Sequence, residues 1–157
     1  MRIWINNRQR KVRLSLEKIR EKAGKILSAL GCPEAELSLT LVGDRAMSRL
    51  NRETFGKAGP TNVIAFPVDW GEGAKSPAGA GDPSSAPPPF MLGEVVISVE
   101  TTVRQARQTD WPWEELLDFY LIHGILHLMG YDHRTPADEA RMEAETWELM
   151  KVVEEGA

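Results

Sequence analysis

The spacing of hydrophobic positions changes along the chain, and each change marks an element. "IWIN" (Ile3 to Asn6) alternates apolar and polar residues and predicts a short strand. After Ser15, a helix-capping residue type, Leu16, Ile19, Ala23, Ile26, Leu27 and Leu30 recur at helical spacing. That predicts a helix to about Leu30, stopped by Gly31 and Pro33. "ELSLTLVG" (Glu36 to Gly43) alternates with leucines at 37, 39 and 41 and predicts a strand with one buried face. Asp44 is the expected cap of a second helix, "RAMSRLNRETF". "NVIAFPV" and "GEVVISV" predict a third and a fourth strand, and Ser98 opens a helix carrying Val99, Val103 and Ala106.

The last third is helical. "WEELLDFYLIHGILHLMG" follows Pro112, a residue suited to a first helical turn. From Leu116 it is apolar on nearly every side, so it is expected to be a central buried helix. Thr135 and Pro136 suit the cap and first position of a last amphipathic helix, "TPADEARMEAETWELMKVVEE". Strands come early and helices late, with no repeated β-α-β units. This places the chain in the α+β class: a small mixed sheet of about four strands with about five helices packed on it. A length of 157 residues fits one domain, residues 1–157. Gly71 to Pro89 holds five of the ten prolines and almost no large apolar residue. It cannot bury enough surface to offset its ordering entropy, so a flexible Pro/Gly-rich insertion is expected at about 71–90.

A net charge of −4 gives no broad basic footprint, so any contact with nucleic acid must come from local clusters. The one cysteine, Cys32, cannot form an internal disulfide and reads as a small semi-buried residue near a helix end, in a reduced compartment. "MRIWINNRQRKVRLS" lacks the apolar core of a signal peptide. The longest near-apolar run, Leu116 to Met129, contains Asp118 and two histidines and falls short of the ~20 residues of a membrane span. A cytoplasmic location without membrane attachment is expected.

The strongest chemical signal is "HGILHLMGYDH", which holds all three histidines of the chain. His123 and His127 are four apart, one above the other on a single helix face. His133 would lie roughly 15 Å along the axis if the helix continued. Gly130 offers a left-handed helix terminus that turns the chain back. Three imidazoles with an open fourth position suit a catalytic zinc ion, whereas structural zinc sites usually close with cysteines. The spacing coincides with the metzincin protease frame, H-E-x-x-H-x-x-G-x-x-H, except that Gly124 stands where those proteases carry their glutamate base.

The same stretch resembles the signature of the YbeY family, H-G-x-L-H-L-x-G-Y-D-H, throughout. "LNRETFGKAGPTNVIAFP" (Leu50 to Pro67) is similar to that family's L-N-x-x-x-R-G-K-x-x-P-T-[DN]-V-L-S-F-P segment, and "LGEVVISVETTVRQA" (Leu92 to Ala106) to its L-G-[DE]-I-x-I-S segment and following helix. The resemblance covers about Leu37 to the C-terminus, apart from the Pro/Gly-rich stretch. It implies one Zn2+ per chain on His123, His127 and His133. It also implies endonucleolytic cleavage of single-stranded RNA, action in 16S rRNA 3′-end maturation and ribosome quality control, and ribosomal RNA and the small ribosomal subunit as partners. The family usually has Arg before the Gly-Lys pair, where this chain has Phe55, and Ala65 replaces a serine.

Zinc would make water acidic enough to ionise near pH ~7 and would polarise a phosphoryl oxygen. Asp132, beside the third histidine, is the nearest acidic candidate for proton transfer or for orienting a ligand. Arg52 is a candidate for the basic role left open at Phe55, with Lys57 and Arg49 beside it. RNA would need positive charge nearby, and Arg45, Arg49 and Arg52 share one helix face while Arg104 and Arg107 share another. Thr61 and Asn62 suit either a turn or a substrate contact. Two other readings stay open: a metalloprotease-like zinc hydrolase, and a ribosome assembly factor whose zinc is not catalytic.

Overall fold

The computed structural model describes residues 2–68 and 90–154. Four strands and five helices follow in the order β1 (Arg2–Asn7), α1 (Leu16–Ala29), β2 (Ala35–Val42), α2 (Asp44–Phe55), β3 (Val63–Pro67), β4 (Phe90–Ser98), α3 (Val99–Thr109), α4 (Trp113–Leu128) and α5 (Pro136–Glu154). The strands form one mixed sheet in the order β1-β2-β4-β3. The expected insertion lies outside the described residues except for Phe90, which already belongs to β4. It joins β3 and β4, which pair antiparallel from Val63↔Ile97 to Pro67↔Gly93.

The α+β class holds, but the connections correct the expected order of strands and helices. β1 and β2 run parallel with α1 between them, and β2 and β4 also run parallel. A helix after a strand returns the chain to the same end of the sheet, so the next paired strand runs in the same direction. Strand pattern alone does not carry that information.

Side-chain alternation assigns the two faces. Leu37, Leu39, Leu41, Val95 and Ile97 point into a core shared with α1, α4 and α5. Val42, Ile64 and Val96 point the other way, onto Met47 of α2. β2 therefore has two covered faces near its C-terminal end, where Thr40 and Val42 are buried too, rather than the single buried face its leucines suggest. The central helix is α4, with Leu117, Leu121, Ile122, Ile125 and Leu126 buried. Asp118, its one buried charge, is paired with Lys22 of α1 at 3.0 Å.

The caps match the sequence at Ser15, Ser98 and Thr135, whose hydroxyls accept the N–H groups of Lys18, Thr101 and Asp138. Asp44 does not cap α2. Gly43 occupies the cap position, and Glu100 accepts the Asp44 N–H at 2.9 Å. A Cβ on Gly43 would stand 2.5 Å from the Glu100 carboxylate, so the space of an ordinary capping side chain is taken by α3. Asp44 instead accepts hydrogen bonds from Ser98 (2.9 Å), Thr101 (2.5 Å) and Arg104 (2.6 Å), tying α2 to α3. Cys32 is buried near the end of α1. No helix among the described residues is long and apolar enough to cross a membrane.

Candidate functional site

The end of α4 builds the histidine cluster. The helix stops at Leu128, and Gly130 takes φ +98°, the left-handed region that favours glycine. The Tyr131 N–H bonds back to the Leu126 carbonyl at 3.0 Å and the Gly130 N–H to that of His127 at 3.1 Å, the paired bonds of a Schellman motif. This turn reverses the chain and sets the His133 ring 4.9 Å from that of His127. The rings of His123 and His127, one turn apart on α4, are separated by 6.5 Å.

His127 Nδ1 lies 3.1 Å from the Tyr131 carbonyl. A carbonyl only accepts, so this contact places the ring proton on Nδ1 and leaves the Nε2 lone pair available. His123 rests on Phe119, ring to ring at 4.3 Å. Burial, helped by the charges of His127 and His133, pushes its pKa down to about 4. Burial and His133 also lower His127, partly opposed by the Tyr131 contact and Asp132. Both rings are therefore favoured in the neutral form that metal ligation requires. No buried side-chain nitrogen or oxygen among the described residues lacks a partner, so desolvation alone does not call for an ion.

As donors, three imidazoles suit zinc. Zn–N bonds of ~2 Å in a tetrahedron set ring centres about 5 Å apart, a spacing that His127 and His133 already have. His123 does not yet share it. Among the described residues, no three His, Cys, Asp or Glu side chains converge closely enough to hold an ion. Ligation by all three histidines requires the His123 ring to come closer to that of His127 than its present 6.5 Å.

A groove of about 790 Å³ opens beside His127 and the 130–134 turn, walled by β3 and by the end of α2. It brings Asn51, Phe55, Lys57, Thr61, Asp132 and Arg134 to the histidine end of α4. Asn51 is buried and donates to the Gly59 carbonyl at 3.0 Å, pinning the segment that carries Lys57 and Thr61. Phe55 stands 55% exposed at the rim. Asp132 accepts the His133 N–H at 2.7 Å and pairs with Arg134 at 2.7 Å. The His133 bond, with the charge and hydrogen bond of Arg134, holds its carboxyl below the usual range against the opposing effect of burial.

The other expected residues lie elsewhere. Arg45, Arg49 and Arg52 share the exposed face of α2, opposite buried Met47 and Asn51, and none of them lines this groove. Arg104 is engaged by Asp44. Arg107 lines a different groove. Asn62 serves the fold, accepting the Val63 N–H at 2.7 Å and donating to Gln105 at 3.4 Å. Asn51 was the residue least visible in the sequence: a polar side chain in a helix gives no sign that it will be buried against a loop eight residues on.

Gly124 has a packing reason. A Cβ there would stand 2.5 Å from Val95 Cγ1 and 3.3 Å from Val63 Cγ2. The position faces the sheet, so this helix has no room for a glutamate after its first histidine.

Comparison with known proteins gives the family and the fold. Residues 4–154 match the family model described as Endoribonuclease YbeY. An Endoribonuclease YbeY of Syntrophotalea carbinolica is 40% identical over 98% of this chain and 96% of its own length. One of Geobacter metallireducens is 41% identical over 98% of this chain and 97% of its own length. The solution structure of TM1509 from Thermotoga maritima shares the fold with a TM-score of 0.65, at 24% identity, over 96% of this chain and 88% of that one. The chain thus belongs to the Endoribonuclease YbeY family.

Proposed function

We propose that this protein is a zinc-dependent endoribonuclease that cleaves single-stranded RNA in the cytoplasm, acting in 16S rRNA 3′-end maturation and ribosome quality control. Family membership supports the reaction class. The observation that carries the metal is the Schellman turn that places the His133 ring 4.9 Å from that of His127, whose Nδ1 faces a carbonyl and whose Nε2 is left open. One Zn2+ per chain would be held by His123, His127 and His133. When bound, it supplies Lewis acidity toward a phosphoryl oxygen and lowers the pKa of water.

The chain's own residues supply the rest. Tyr131 fixes the tautomer of His127 through its carbonyl. Lys57 provides a cation for a phosphate in the groove, and exposed Phe55 offers a ring against which an unstacked base can lie. Asp132 orients the turn through the His133 N–H, and its depressed pKa makes it a weak proton acceptor at neutral pH.

The protease-like alternative lacks its base, and packing at Gly124 leaves no room for one there. The deciding experiment incubates the purified protein with a single-stranded RNA oligonucleotide and, separately, with casein, with elemental analysis of the same preparation. RNA cleavage with about one zinc per chain, both lost in His127→Ala, is the expected result. Casein cleavage at a comparable rate would overturn the reading. Normal 16S maturation in cells carrying only His127→Ala would favour an assembly factor with non-catalytic zinc.

A further inference from the structure

The loop between β1 and α1 reads "RQRKVR" from Arg8 to Arg13: four cations and no acid in a chain whose net charge is −4. All four cations are exposed, whereas Gln9 among them is 7% exposed. The Gln9 carboxamide donates to Asn7 Oδ1 at 3.0 Å and to the Val12 carbonyl at 2.9 Å, and accepts the Val12 N–H at 3.0 Å. The Arg8 N–H bonds to the Leu41 carbonyl at 2.8 Å. A charge run usually stays solvated and mobile, but this one is stapled into a fixed shape. Holding like charges together in one shape works against stability, so the arrangement points to an anionic partner.

Beside the loop lies a groove of about 840 Å³, bordered by Lys11, Arg13, Arg107, Asp110, Trp111 and Trp113. Lys11 is paired with Glu100 at 3.0 Å. Arg13 and Arg107 form no ion pair among the described residues, and they line this groove together with two half-buried indoles. A chain of ring contacts leads from the groove to the first histidine. Trp111 meets Phe119 edge-on at 5.6 Å, and Phe119 carries His123 at 4.3 Å. Cations beside aromatic rings are the pattern that grips a single strand, since phosphates meet the cations and unstacked bases meet the rings. A duplex hides its base faces, and a run of carboxylates alone has no flat ring to lay on indoles.

We infer that this groove is a second binding site for single-stranded RNA, holding part of the substrate strand away from the scissile position. It rests on the ribonuclease reading for its biological use, though not for its test. That test measures fluorescence anisotropy of a labelled single-stranded 2′-O-methyl oligonucleotide of about 12 nucleotides, its integrity checked on a gel, against a duplex of the same sequence and against poly-glutamate as competitor. Arg13→Ala with Arg107→Ala should weaken binding about tenfold and flatten the dependence of log K on log salt by about 1.4, two phosphate contacts at ~0.7 each. Asp110→Asn should tighten binding, and Asn tolerates the left-handed φ of 57° found there. A gain in affinity cannot come from misfolding. Trp113→Leu should reduce the quenching of tryptophan emission by the oligonucleotide. The site is overturned if the arginine and Asp110 variants bind as the parent does, if the duplex binds as tightly, or if poly-glutamate competes equally. RNA cleavage with unchanged binding in these variants would sink this site and leave the proposed function standing. The expected binding changes without any cleavage would do the reverse.

Discussion

Gly124 of α4 and Val95 of β4 are in such close contact that a Cβ on the glycine would stand 2.5 Å from Val95 Cγ1. The contact lies one residue from His123, so the packing that seats the helix on the sheet also sets the height of the first histidine. Val95 is fully buried in the strand's core-facing row and has no open direction in which to yield. Gly124→Ala is therefore expected to be destabilising by about 1–3 kcal/mol through overpacking, or roughly 3–10 °C in melting temperature at this chain length. A thermal melt within a degree of the parent would show that the helix shifts freely. Gly124→Glu should fold poorly and gain no casein cleavage.

Asp44 predicts a pH effect. Burial pushes its carboxyl up, but hydrogen bonds from Arg104, Thr101 and Ser98, with the Arg104 charge, outweigh it and leave the pKa below its ordinary value. A carboxyl depressed on folding adds stability above its unfolded pKa of ~3.9 and loses it as pH falls through the lower folded value. Asp44→Asn should therefore melt well below the parent at pH 7, with the gap closing toward pH 3. A gap of constant size across that range would assign the effect to packing. Arg104→Ala should reproduce the pattern in weaker form, because the two hydroxyl donors remain.

Most elements of the fold were legible because their signals are local. Ser15, Ser98 and Thr135 cap the helices that their positions suggest, and the leucines of β2 face the core. What was not legible depends on partners distant in sequence. Asp44 looks like a cap until Glu100, 56 residues on, is seen to fill the space of a capping side chain at Gly43. The parallel pairing of β1 with β2 follows from how α1 packs, which the alternation of "IWIN" does not encode. At the site, the turn at Gly130 was readable from one residue. The outward face of Arg45, Arg49 and Arg52 was not, since their shared face was visible but its direction depends on Met47 and Asn51 being the buried pair.

Zinc removal gives a third expectation that follows from the proposed ligand set. His133 is exposed on a short turn, while His123 and His127 belong to a packed helix. Chelation should therefore release the 129–135 turn and leave the core in place. Hydrogen exchange should rise in that segment with little change in α1 or β2. Global unfolding on chelation would show that the ion holds the whole fold, as structural zinc does.

The last expectation concerns the groove rim, where Phe55 stands in place of the arginine usual in the family. Phe55 is 55% exposed and lines the groove with His127 and Lys57, whereas Arg52, one helical turn earlier, is exposed and does not line it. A cation placed at 55 would line the groove beside His127, whereas the cation at 52 lies outside that lining. If charge is built up on the phosphate during cleavage, Phe55→Arg should raise the rate, by up to about 10²-fold if the new guanidinium were as well placed as an oxyanion-hole donor. Arg52→Ala should leave the rate within about twofold, because an exposed cation outside the groove contributes only screened, long-range attraction. Lys57→Ala should lower it and flatten its salt dependence. Single-turnover cleavage of one oligonucleotide by the three variants, with zinc content measured in each, checks the ordering. Loss of cleavage in Arg52→Ala, with Phe55→Arg unchanged, would mean that the exposed face of α2 turns onto the RNA, and the groove beside His127 would lose its place as the site of reaction.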